Sequence, residues 1–369
     1  MNNIFVTGAT GFLGSLIVNE ILSSSGDAVH ILVRDKQASM GRDRLISALS
    51  GARGGELNEA EKNRIHAYKG DITKKGLGLN GHDTAHLVDT IDIIYHSAAT
   101  TDLSLALAKA RKINVRGAAN VLDFAIQCKQ NGRLKKVNHI STAYVAGTGK
   151  ALFKEEHLDI KQGFNNTYEQ SKFEAEKLAH EYRKNGLHID IFRPSIMLGR
   201  YTDGKTTSFK MFYQPLHFFA LEIFEKIPAK GHSKANVINV DTAARAMVLI
   251  SNRSDKPNMT YHIVSPDSPT FELVLDTACD FFGFRKPDIV RPEELNMVME
   301  YSFAQERMIA PYLPYFSYLT KFDMENTLNC LKKENFKFPT FDKANLIRLF
   351  EYCEKIGFIK RKNKSAVTG

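Results

Sequence analysis

Val6-Thr7-Gly8-Ala9-Thr10-Gly11-Phe12-Leu13-Gly14, close to the start of a 369-residue chain, decides the fold. A β-branched run, Ile4–Thr7, leads into it, and a helical apolar pattern, Phe12–Ser24, leads out. The three glycines have separate tasks. Gly8 permits a tight turn, Gly11 lets the backbone approach a pyrophosphate, and Gly14 lets the helix pack on the strand. The anion then rests on free N–H groups at the helix N-terminus, in a cradle running through Gly8, Thr10, Gly11, Phe12, Leu13 and Gly14. A lone glycine triplet says little, because turns use glycine freely. The strand before it and the helix after it make it a dinucleotide-binding turn.

Working outward, Ala28–Val33, Ile65–Lys69, Ile91–Tyr95, Lys136–Ile140 and His188–Phe192 read as strands. Arg42–Ser50, Val115–Cys128 and Tyr168–Lys184 read as helices. Such alternation predicts an α/β fold, a parallel sheet covered on both faces. Right-handed crossovers then leave a Rossmann-type, doubly wound sheet. After Gly199 the rhythm changes, and Phe and Tyr become frequent. The expected plan is a nucleotide-binding domain from 1–200 and 236–264, with a smaller, mostly helical substrate-binding cap from 201–235 and 265–369.

The end of the second strand distinguishes the two nicotinamide dinucleotides. About twenty residues beyond the glycines, a carboxylate would take a ribose 2′-hydroxyl and an arginine a 2′-phosphate. Arg34 stands there, and Arg44 could add a second planar guanidinium fork. Asp35 is the counter-signal. The reading favours NADPH. Gly70-Asp71-Ile72 follows the third strand, where the Asp71 carboxylate could meet the adenine amino group. His96-Ser97-Ala98-Ala99 follows the fourth, and its small residues leave the cofactor room to cross the strand ends. Thr100, next in the chain, is a candidate substrate contact.

Tyr168-Glu169-Gln170-Ser171-Lys172 places a tyrosine and a lysine on one helix face. A free phenol, with a pKa near ~10, is a poor acid–base catalyst at neutral pH. A nearby ammonium would lower that value. Ser141-Thr142, at the end of the fifth strand, offers a hydroxyl that could hold a substrate oxygen beside the tyrosine; a plain turn cap is the other reading of Thr142. Asn114 could hold a water or carbonyl in a proton relay, or be a surface helical asparagine.

Composition narrows the alternatives. The net charge is +9, with 50 basic and 41 acidic residues. No zinc-finger or RNP-like spacing points to nucleic acid. No apolar run reaches membrane-spanning length, so no integral membrane segment is expected. The chain opens directly on a strand, so no signal peptide is expected. Four scattered cysteines make no metal pattern, and reduced thiols in a cytoplasmic protein are expected.

Together these stretches resemble the extended short-chain dehydrogenases and, within them, the thioester reductase and fatty acyl-CoA reductase branch. The resemblance runs through Val6–Gly14, Leu32-Val33-Arg34, Gly70-Asp71-Ile72-Thr73, Leu77-Gly78-Leu79 and Ile94–Ala99. It continues through Asn114-Val115-Arg116-Gly117, Ile140–Val145, Tyr168–Lys172 and Arg193-Pro194-Ser195-Ile196, and weakens beyond Asp241. It implies a Thr142–Tyr168–Lys172 triad, with Lys172 also on the ribose, and Pro194, Ser195 and Ile196 along the nicotinamide. Ala143 and Tyr144 would lie by the substrate. The implied reaction is reduction of an acyl thioester to an aldehyde, and possible onward reduction to an alcohol.

Such reductases often end large synthetases. This chain starts at the first strand, so the acyl group is expected on coenzyme A or a separate, acidic acyl carrier protein, which would suit the positive charge. Sugar-nucleotide epimerases or dehydratases and small-molecule ketone or aldehyde reductases share the triad and stay open as alternatives. The aromatic stretch Phe209–Phe224 reads as a packed cap helix or a homodimer contact, or as an acyl-chain pocket or membrane-leaning lid.

Overall fold

The computed structural model describes residues 1–34, 41–148, 151–253, 256–294 and 301–362, excepting the side chains of residues 41 and 44. By compactness the chain divides into two units. The first comprises Met1–Pro194, Ala243–Ile263 and Phe322–Phe336; the second comprises Ser195–Thr242, Val264–Lys321 and Lys337–Gly369. Phe322–Phe336 therefore falls in the first unit, where the sequence reading expected cap.

The first unit is built on β1 (Asn3–Thr7), α1 (Phe12–Ser24), β2 (Ala28–Val33), α2 (Gly41–Arg53) and β3 (Ile65–Lys69). It continues with α3 (Gly81–Thr90), β4 (Ile93–His96), α4 (Leu107–Gln130), β5 (Lys136–Ile140), α5 (Thr167–Lys184), β6 (Ile189–Pro194) and β7 (Thr260–Ile263). The strands form one sheet in the order β7-β6-β5-β4-β1-β2-β3, and every pairing is parallel. The order reverses between β1 and β4, which opens a ligand crevice beyond their carboxyl ends. This is the expected doubly wound fold.

Burial explains why the strands read as apolar runs. Phe5, Ile94, Val137, Ile189 and Ile191 pack with Val121, Leu122 and Phe124 of α4 and Ala179 of α5 in one buried cluster. A sheet covered on both faces has no polar side to alternate with. Helix ends follow ordinary capping chemistry: the Asn166 side chain accepts from the Glu169 N–H at the start of α5.

The second unit carries two short parallel strand pairs, Ile196–Leu198 with Val237–Asn239 and Lys226–Pro228 with Asp288–Val290. Its core joins Tyr213, Leu216, Phe218 and Phe219 of the helix Tyr213–Ala220 to Phe282 and Phe350. The aromatic stretch is thus core in large part.

Candidate active site

The glycine turn is closely packed at two of its three glycines. Gly8 has φ of 77°, and a Cβ there would lie 2.7 Å from the Ala98 nitrogen. The turn is therefore pressed against the Ser97–Ala98 backbone beyond β4. A Cβ on Gly14 would lie 2.2 Å from the Gly8 carbonyl oxygen, so only glycine lets α1 start this close to β1. Gly11 differs. It is exposed, and a Cβ there would meet nothing nearer than that same oxygen, at 3.1 Å. It caps α1 without a side-chain hydrogen bond. The first N–H groups of α1 are left for an outside acceptor, which suits a dinucleotide pyrophosphate.

Thr7 holds the switch point together. Its Oγ1 lies 2.8 Å from Nδ1 of His96 and accepts from the Ala98 N–H at 3.3 Å. Arg34 is exposed directly after β2. The Arg44 side chain and Asp35 lie outside the described residues. Asp71 is turned partly inward, because its Oδ1 accepts from both the N–H and the hydroxyl of Thr73 at 2.8 Å. Ile72 is buried, and its carbonyl accepts from Asn120 Nδ2 at 2.6 Å. Ala99 is exposed at the crevice edge.

Asn114 is buried in α4. Its Oδ1 accepts from the Thr100 N–H at 2.8 Å, and its Nδ2 donates to the Thr100 carbonyl at 3.2 Å and to Ser171 Oγ at 2.9 Å. The surface-asparagine reading therefore falls. The side chain ties the strand-end loop to α5, one residue from Lys172.

Thr142 and Tyr168 are brought together, close enough for the Thr142 hydroxyl to work against the rise of the Tyr168 phenol. Thr142 is also a turn cap, its Oγ1 accepting from the Tyr144 N–H at 3.3 Å. The same oxygen lies 3.4 Å from the Pro194 carbonyl. The turn-cap reading of this residue therefore holds. Ala143 and Tyr144 are buried in the short turn Ala143–Ala146. Pro194 ends β6, and Ser195 and Ile196 open the second unit. Ser195 Oγ is buried without a hydrogen-bond partner among the described residues.

The electrostatics depart from expectation. Lys172 is buried and donates to the Ile140 carbonyl at 2.6 Å. Burial pushes its ammonium down to about 8, with Glu176 working the other way. Burial pushes the Tyr168 phenol up to about 12, against the Thr142 hydroxyl. Desolvation of the phenolate outweighs any help from the ammonium, so Tyr168 is held protonated.

Sequence reading gave no role to Glu176 and Arg193. Both are fully buried beneath the triad and form a salt bridge of 2.5 Å. Glu176 stands one turn beyond Lys172, a spacing visible in the sequence. Its partner on β6 was not.

In the second unit a small apolar cleft, open in part to solvent, is lined by Met211, Phe212, Leu216, Phe219, Phe271 and Phe316 among others. Among the described residues, no helix is long and apolar enough to cross a membrane.

Comparison with known proteins follows the same lines. The L-2-aminoadipate reductase large subunit of Candida glabrata is 31% identical over 269 residues, covering 68% of this chain and 19% of that protein. Fatty acyl-CoA reductase wat of Drosophila melanogaster is 26% identical over 277 residues, covering 66% of this chain and 53% of that protein. The chain spans about a fifth and about half of the length of these two relatives. Among solved structures, the terminal R domain from the myxalamid PKS-NRPS biosynthetic pathway superposes with a TM-score of 0.84 at 25% identity, covering 98% of this chain and 93% of that one. The family model described as "Male sterility protein" matches residues 6–247, and the chain belongs to this NAD-binding family of oxidoreductases.

Proposed function

We propose that this chain is an NADPH-dependent reductase of acyl thioesters, with Thr142, Tyr168 and Lys172 as its catalytic residues. The observation that carries the reading is the placement of the Thr142 hydroxyl beside Tyr168, with Lys172 one helical turn further along α5 and its ammonium buried on the Ile140 carbonyl at the end of β5. When bound, NADPH supplies hydride to the carbonyl carbon. Tyr168 and Thr142 would hold the carbonyl oxygen as negative charge develops on it, the chemistry of an oxyanion hole. A phenol held up to about 12 stays protonated across the neutral range, so it would donate a hydrogen bond to the developing oxyanion rather than abstract a proton. Lys172 would supply positive charge behind it and hold the ribose. Collapse of the tetrahedral species would break the C–S bond, release the thiol and leave an aldehyde. A second hydride transfer would give an alcohol.

Arg34, exposed at the end of β2, supports NADPH over NADH through its fit to a 2′-phosphate. The relatives include reductases and a reductase domain of a multidomain pathway enzyme, which supports a thioester carried on coenzyme A or an acidic carrier protein. The apolar cleft of the second unit offers the walls an acyl chain would need. A cytoplasmic location belongs to the same proposal. The test is NADPH oxidation against acyl-CoAs, carrier-bound acyl groups, free aldehydes and UDP-sugars. Turnover of thioesters is expected, and consumption only with sugar nucleotides, or with none of them, would overturn the reading.

A further inference from the structure

We infer that Glu176 is a positioning residue for this reaction: clamped by Arg193 and Ser141, its buried carboxylate sets the geometry of all three catalytic residues. The inference rests on the proposed roles of Thr142, Tyr168 and Lys172.

The geometry is that of a hub. Glu176 lies on α5, one turn beyond Lys172 and two beyond Tyr168, on the same helical face. Ser141 Oγ donates to Glu176 Oε2, and Ser141 is the residue directly before Thr142. Arg193 Nε donates to both carboxylate oxygens, at 3.0 and 3.2 Å, and Nη2 donates to Oε1 at 2.5 Å. Arg193 directly precedes Pro194, whose carbonyl lies against Thr142 Oγ1. Ile140, directly before Ser141, holds the Lys172 ammonium through its carbonyl. One carboxylate therefore joins α5, the end of β5 and the end of β6 immediately behind the atoms proposed to react. Arg193 is fixed in turn by the carbonyls of Glu155 and His157 and by Nε2 of His262. A fully buried ion pair is a costly way merely to hold a fold together. A charge requirement at Lys172 accounts for it.

Among the described residues, the titratable and charged groups around Lys172 are few. On its own helix are Tyr168, Glu176, His180 and Arg183. His96 faces it from β4 and His139 from β5, while Arg193 on β6 faces Glu176. Burial and the neighbouring positive charge keep His96 and His139 neutral. Glu176 is held ionised, burial being outweighed by Arg193 and the hydrogen bonds it accepts. Lys172 is then the group that changes charge on the alkaline side of neutrality, and Glu176 is its negative neighbour.

The sign follows. Removing the carboxylate makes the ammonium harder to keep, so Lys172 deprotonates at lower pH. In Glu176→Gln, the alkaline limb of the kcat/KM profile is expected to move about one pH unit or more toward acid, and Glu176→Asp is expected to return it toward the native position. Ser141→Ala leaves the ion pair in place. It is expected to lower kcat about tenfold with the limb unmoved and KM for NADPH within about twofold, through lost alignment of Thr142. An unmoved limb in folded Glu176→Gln overturns the inference. If that variant does not fold, an unchanged kcat in Ser141→Ala overturns it instead. Tyr168→Phe serves as the control: full activity there sinks the underlying reading, whereas an inactive Tyr168→Phe beside an unmoved Glu176→Gln limb sinks this inference alone.

Discussion

Replacing each glycine of the first turn by alanine separates folding from ligand binding within nine residues. At Gly8 an alanine must adopt φ of 77°, which costs about 1–2 kcal/mol. Its methyl would press on the Ser97–Ala98 backbone at 2.7–2.9 Å, and overpacking of this kind adds about 1–3 kcal/mol. The total, about 2–5 kcal/mol, corresponds to about 4–20 °C in unfolding midpoint for a unit of this size. At Gly14 the backbone is helical, but the methyl would sit 2.2 Å from the Gly8 carbonyl oxygen, so α1 must retreat, at about 1–3 kcal/mol or more. At Gly11 the backbone is extended, with φ −86° and ψ 172°, and the nearest atom is 3.1 Å away. The expected stability loss there is below about 1 kcal/mol. Its methyl would stand where the pyrophosphate approaches, forfeiting at least one charge-assisted hydrogen bond of about 1.5–3 kcal/mol, or about 10- to 150-fold in Kd. Thermal unfolding and fluorescence titration with NADPH measure the two quantities on the same samples. A Gly11→Ala protein that binds NADPH like the native chain, or melts as early as Gly8→Ala, would refute the assignment of these roles.

Further outcomes are expected elsewhere. Tyr168→Phe should lower kcat/KM about 10²- to 10⁴-fold while the circular dichroism spectrum stays native; a loss under about tenfold would contradict its role as the acid. Arg34→Ser should weaken NADPH binding about tenfold or more through the lost phosphate contact and leave NADH within about twofold, and equal weakening of both would rule out a 2′-phosphate contact. His96, His139 and His262 are fully buried, and burial depresses each below its unfolded value, His96 and His262 to about 3. Their contribution is complete above about pH 6.5 and is lost as pH falls toward the folded values, by up to about 1.4 kcal/mol per pH unit for each group. Urea midpoints measured at pH 7 and pH 5.5 should therefore differ clearly, and equal midpoints would show that these rings are not held neutral. Glu155→Gln places an amide opposite the N–H groups of His262, Asn326 and Thr327, which the native carboxylate accepts at 2.6–3.3 Å. Limited proteolysis should then open the chain between 322 and 336, and a native digestion pattern would refute that anchoring.

Sequence reading went furthest where a constraint is local. The glycine turn, the β2 terminus with Arg34 and the i,i+4 spacing of Tyr168 and Lys172 are patterns of a few residues, and β2, β3, β5 and α1 match their expected bounds. Helices with weak apolar faces escaped. α3 buries Leu87 and Val88 alone, and Ile91, expected to start a strand, instead ends that helix by donating to the Leu87 carbonyl at 3.0 Å. The first turns of α4 carry Lys109, Arg111 and Lys112 on an exposed face, so its periodicity emerged only near Val115. Glu176 and Arg193 escaped for a different reason: charged residues read as surface until a partner distant in sequence takes them inside. Burial also outweighed the proximity argument at Tyr168, because desolvation of a phenolate depends on surroundings that spacing does not reveal.

Glu155 also bears on the order of events during synthesis. Its carboxylate is completed by N–H groups as far as 171 and 172 residues downstream. At ordinary elongation rates that interval is about 9–35 s. Throughout it, the nascent first unit must keep a buried-type carboxylate in water and one piece of its own structure unmade. Its final locking therefore waits on translation of a segment lying beyond most of the second unit, a window in which chaperone capture or early proteolysis would be most effective.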